Sequence, residues 1–146
     1  RKSMEQKSEI IKLYEKGKLG DFPLGTLRVR AALMLMRDYR FSLFSSKLTR
    51  TYDDVRGGKG NGAAYFADSR QDAADRYLGA VNAVGKYKVY LLHFLRDDKN
   101  VRAFVLENPV LNNNAKTTYN MVYTALCAML DLLMAYYDGL QQVKAG

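Results

Sequence analysis

The chain has 146 residues, 48% of them apolar and 26% charged, which is long enough to bury one core and too apolar for a disordered or collagen-like chain. Lys and Arg total 23 against 15 Asp and Glu, a net charge of +8 that favours polyanionic partners. A single cysteine, Cys127, excludes an internal disulfide framework and fits a reducing compartment.

The opening residues, Arg-Lys-Ser-Met-Glu-Gln-Lys, precede no long apolar run, so no signal peptide is visible and a cytoplasmic location is expected. Met4 to Lys18 sets Ile10, Ile11 and Leu13 among glutamates and lysines at helical spacing, the pattern of a short solvated helix. Gly17, Gly20, Pro23 and Gly25 end it. Residues 1–25 are therefore expected to form a helical arm and linker, and residues 26–146 a helical DNA-binding-like domain.

Thr26 is placed to cap a long helix running to about Lys47, on which Leu27, Ala31, Met34, Leu35, Tyr39, Leu43 and Phe44 recur at three- and four-residue steps. Arg30, Arg37 and Arg40 occupy other positions and give that helix a basic side. From Thr49 to Ala67 the apolar period dissolves, and the run Arg56-Gly57-Gly58-Lys59-Gly60-Asn61-Gly62 predicts a mobile, positively charged loop. A helix opens at Asp68 or Ser69, carries Ala73, Ala74, Tyr77, Leu78, Val81 and Val84, and closes at Gly85. Tyr87 to Arg96 reads as a largely buried helix, Asp97 to Asn100 as a turn, and Val101 to Leu106 as a short helix that stops before Pro109.

The last segment carries the strongest pattern. Asn112, Asn113 and Asn114 precede a helix starting near Ala115, and Asn is a preferred cap. Tyr119, Val122, Leu126, Met129, Leu133, Tyr136 and Leu140 then follow at alternating steps of three and four, with Met121, Ala125, Ala128 and Leu132 beside them. Such a helix is central to a core, or is a core helix that also dimerises. Its most apolar stretch, Met121 to Tyr137, is 17 residues long and includes Asp131. It falls short of the roughly 20 residues a span needs, so a buried helix is expected and no membrane partner. No segment alternates with period two for long, and the fold class is all-α: a compact helical domain with a helix-turn-helix-like C-terminal half and a long central or dimerising last helix.

Catalytic chemistry is thinly supplied. His93, the only imidazole, sits inside Leu91-Leu92-His93-Phe94-Leu95 and reads as a structural core histidine, since zinc sites draw on several His or Cys. Cys127 lies among apolar neighbours and reads as a small core hydrophobe. Asp68, Asp72 and Asp75 share a helix face, but acids in first turns complement the helix dipole, and Asp72 has Arg76 four residues on. Gly58 to Ala63 lacks the spacing of a phosphate-binding Walker loop. No enzyme activity, metal or cofactor is expected.

The order short helix, turn, long helix over Val101 to Asn120 matches a helix-turn-helix arrangement, in which the first turns of the second helix face the major groove. Asn113, Asn114, Lys116, Thr117, Thr118 and Asn120 occupy those turns and carry donors and acceptors suited to base edges and phosphates. Arg56 and Lys59 add a basic loop, within a stretch from Thr26 to Gly60 that holds eight basic residues against three acidic ones.

Ala31-Ala32 and Arg37-Asp38-Tyr39, then Asp72 to Ala80, then Ala115-Lys116-Thr117-Thr118-Tyr119 leading into Ala125 to Leu133 and Tyr136-Tyr137, together resemble a helix-turn-helix domain family of alphaproteobacterial and phage-type regulators. The resemblance covers roughly residues 27 to 139 and rests on non-catalytic motifs. It implies a DNA-binding, transcription-regulatory role, with Lys116 and its neighbours at the start of the recognition helix. The expected function is thus a non-enzymatic regulatory module of bacterial or phage origin that binds duplex DNA, possible partners being a second copy or a regulator protein. The alternatives are a helical interaction or dimerisation module and a phage packaging or structural component.

Overall fold

The computed structural model describes the backbone of residues 7–56, 60–108 and 115–145, and the side chains of 7–43, 70–108 and 118–141. It is all-helical, with no strand among the described residues. The order is α1 (Glu9–Glu15), α2 (Leu24–Arg56), α3 (Gly60–Ala83), a 3-10 turn (Gly85–Tyr87), α4 (Lys88–Leu91) running into a π-helical turn (Leu92–Arg96), α5 (Val101–Glu107) and α6 (Ala115–Ala145).

The Ser8 hydroxyl caps α1 by accepting from the Ile11 N–H, and Gly17 stops it at φ +80°, in the left-handed region. The helix is not held off the domain as an arm. Ile10 and Leu13, one turn apart, turn inward and share a core with Leu19, Leu35, Phe94 and Leu126. Full burial of a side chain of this size stabilises by roughly 1.5–3 kcal/mol, and Lys7, Lys12, Glu15 and Lys16 stay exposed, so their hydration does not oppose the docking.

α2 begins at Leu24, directly after Pro23, two residues before the expected cap. The Pro23 carbonyl accepts from the Leu27 N–H at 3.0 Å, while the Thr26 hydroxyl pairs with the Tyr14 hydroxyl at 2.8 Å and ties α1 to α2. A larger departure follows. The segment expected as a loop is helical from Thr49 through Arg56 and again from Gly60, so α3 starts well before Asp68; Gly57 to Lys59 lie outside the described residues. A glycine in a helix costs about 1 kcal/mol relative to alanine, more than the propagation step of a good helix former returns, so the helices extend here against local propensity. α2 and α3 also pack along one another, which supports both.

The far end of α3 meets expectation, with the helix stopping at Ala83 and Gly85 at φ +55°. Leu91, Phe94 and Leu95 are buried across α4 and the π turn. The Asn100 side chain caps α5 by accepting from the Ala103 N–H at 2.9 Å.

α6 is the central element and touches α2, α3, α4 and α5. Val122, Leu126, Met129, Leu130, Leu133 and Tyr137 form its buried line. Tyr119, Tyr136 and Leu140 of the expected stripe are half-buried, and Met121 and Leu132 of the second stripe are 55% and 40% exposed, so the helix is less enclosed than its composition predicts. Thr118–Gln141 is long and apolar enough to cross a membrane by length and composition, but here its buried line is the core of the bundle.

Candidate functional site

Residues expected to read DNA at the start of α6 divide sharply. Asn113 and Asn114 lie outside the described residues; Lys116 and Thr117 are in the helix, with side chains outside the described set. Asn120 is exposed. Thr118 is only 3% exposed, so its hydroxyl cannot touch a base edge in this fold. It lies next to Tyr119 and one turn before Val122, where the helix already turns its inner side to the core. Arg56 ends α2 with its side chain outside the described set, and Lys59 falls in the gap between α2 and α3.

A different surface collects cations. Between Leu24 and Tyr52, α2 carries six basic residues and one acid, Asp38. Asp38 is 2% exposed and faces inward. Arg28 is committed to Asp131 on α6, with its Nε and Nη2 donating to the two carboxylate oxygens at 2.8 and 3.0 Å, while Nη1 donates to the Leu19 carbonyl. Arg30, Arg37 and Arg40 are exposed, and none is in an ion pair with a described residue. Steps of seven and three residues keep Arg30, Arg37 and Arg40 toward one side of the helix, with exposed Leu33 among them. Lys47 and Arg50 continue along the same helix.

Inward of that face is a buried polar junction that pattern reading did not find. Arg76 on α3 reaches Asp38 with Nε and Nη2 at 3.0 and 2.9 Å, and the Tyr137 hydroxyl on α6 donates to the same carboxylate at 2.9 Å. Three long helices are thus joined through one carboxylate, and Arg76 pairs with Asp38 in place of the Asp72 expected from i,i+4 spacing. Burial first, and then the Asp38 charge, push the Tyr137 phenol well above its usual range, so it stays protonated and donates. Asp38, Arg76 and Tyr137 lie far apart in the chain, and the available signal was that Asp38 is the one acid among six basic residues between Leu24 and Tyr52. Beside the junction a groove of about 540 Å³ opens between α2, α3 and α6.

His93 is buried and Cys127 is half-buried. The His93 ring lies against Phe94 and Phe104, with Nε2 2.8 Å from the Asn100 carbonyl and Nδ1 3.7 Å from a Glu107 carboxylate oxygen. The Cys127 thiol is directed at the Lys18 carbonyl at 3.5 Å, and burial pushes its pKa up, away from the reactive thiolate. No group of three or more His, Cys, Asp or Glu that could hold a metal occurs among the described residues. Searches against protein-family models, curated proteins and solved structures return no match to this chain.

Proposed function

We propose that the protein is a non-enzymatic module that associates with duplex DNA, laying the outer face of α2 along the phosphate backbone in a regulatory role. The observation that carries this reading is the orientation of charge on α2: its one carboxylate between Leu24 and Tyr52 is buried, while Arg30, Arg37 and Arg40 stand in solvent without carboxylate partners among the described residues. Arginine presents a planar fork of donors to phosphate oxygens and is more weakly hydrated than lysine, so it loses less on contact. Ten residues at 1.5 Å each separate Arg30 from Arg40 by about 15 Å, close to half a turn of duplex DNA.

Recognition on this reading is led by the backbone. Asn120 at the collar of α6 is the exposed amide available for base contact, and buried Thr118 takes no part. The test is binding of the full chain to a duplex of about 20 base pairs at several salt concentrations. Three phosphate contacts give a log–log slope near about −3, because each neutralised phosphate releases close to one counterion. A chain that ignores duplex DNA at low salt overturns the reading.

A second reading, self-association, is favoured by one observation: Met121 and Leu132 are exposed on α6 and lie on a line with half-buried Ala125 and Ala128 at steps of four and three residues. Mass measurement across a concentration series tests it, and a strict monomer removes it.

A further inference from the structure

We infer that the groove where α2, α3 and α6 meet is a binding site for a free apolar α-amino acid. Its volume of about 540 Å³ lies within the range of roughly 300–1,000 Å³ typical of small-molecule sites. Met34, Tyr137 and Leu140 supply apolar surface from α2 and α6, which suits a hydrophobic side chain. The rim carries both signs of charge. Asp72 and Asp75 lie one turn apart on α3, are exposed, and are in no ion pair with a described residue. Arg37 on the α2 wall is likewise exposed and unpaired among the described residues.

The remaining charges are already spent. Both Asp38 oxygens are occupied by Arg76 and Tyr137, so a ligand ammonium is left with Asp72 and Asp75. An amine without an acid group would meet the uncompensated Arg37 guanidinium; an acid without an amine would meet two carboxylates. A ligand bearing ammonium and carboxylate on one carbon, with an apolar body, satisfies the two walls and the floor together. Because the rim is open to water its ion pairs are screened, and affinity in the millimolar range is expected.

The inference shares Arg37 with the face proposed for DNA, so it is tested without DNA, and Asp72 and Asp75, which take no part in that reading, keep the two distinguishable. Isotope-labelled full-length protein is titrated by NMR with L-phenylalanine up to about 10 mM, alongside phenethylamine and 3-phenylpropionate. Saturable shifts are expected at Met34, Arg37, Asp72, Asp75 and Leu140, with each one-charge analogue binding about tenfold more weakly. The Asp72→Asn/Asp75→Asn double variant and Arg37→Gln each weaken phenylalanine binding about tenfold while keeping the wild-type melting temperature, since all three side chains are exposed. The inference is overturned by the absence of saturable shifts, by shifts centred elsewhere, by undiminished binding in both variants, or by an analogue that binds as tightly as phenylalanine.

Discussion

The inner and outer sides of α2 use charge in opposite ways. Inside, Asp38 has lost nearly all contact with water and recovers it through three hydrogen bonds, two from Arg76 and one from Tyr137. Outside, Arg30, Arg37 and Arg40 keep their hydration and have no carboxylate to satisfy among the described residues. A buried charge is tolerated where its partners are complete, and its removal leaves those partners stranded. An exposed cation contributes little to folding and remains free to meet an external anion. The contrast separates what holds the bundle together from what it offers to other molecules.

The inner side is the place to break that contrast first. Asp38→Ala strands the Arg76 guanidinium and the Tyr137 hydroxyl and is expected to cost about 2–3 kcal/mol in urea unfolding. That is below the roughly 3–5 kcal/mol of a fully buried pair, because the Arg76 side chain is 35% exposed and water screens it. Tyr137→Phe removes one donor and should cost about 1 kcal/mol in the same measurement. The inner packing is also tested at Gly79, where an added Cβ would run into the Tyr136 ring. Gly79→Ala is expected to destabilise by about 1–2 kcal/mol, and the same substitution should cost less in a Tyr136→Ala background, where the ring it meets is gone.

How far the sequence reveals these features depends on whether the interaction is local. The line Val122, Leu126, Met129, Leu133 is visible because helical period and burial coincide along one segment, and Gly85 is visible because its stop signal acts on its neighbours. Asp38 pairing with Arg76 is invisible to spacing, since the choice between Asp38 and Asp72 is made by how α3 lies on α2. The glycine run after Arg56 misleads for a related reason: propensity penalises each residue singly, whereas two helices packed side by side are stabilised jointly. Thr118 is buried where an exposed side chain was expected because a polar residue in a first turn can face either way, and only the docking of α6 decides.

The outer side sharpens the comparison through the absence of effect. The triple variant Arg30→Gln/Arg37→Gln/Arg40→Gln should change unfolding free energy by less than about 0.5 kcal/mol, with unaltered circular dichroism. The smallest effect is expected at the exposed pair Arg96–Asp97, 2.9 Å apart. The hydrogen bond from Arg96 holds the Asp97 carboxyl below its ordinary value of 3.8. A depressed carboxyl contributes stability that is present above the unfolded value and lost as pH falls through the folded one. Asp97→Asn should therefore remove a few tenths of a kcal/mol at most near pH 7 and flatten the stability profile below about pH 4, as read by denaturant titration across acid pH.

The most direct measurement is the salt dependence of duplex DNA affinity for the wild type and the triple arginine variant, compared side by side. If the outer face of α2 carries the interaction, the variant remains folded, binds more weakly at low salt, and has a log–log slope shallower by about 3, one counterion for each arginine removed. Equal slopes in two folded proteins would contradict the account and place the cationic contact elsewhere on the molecule.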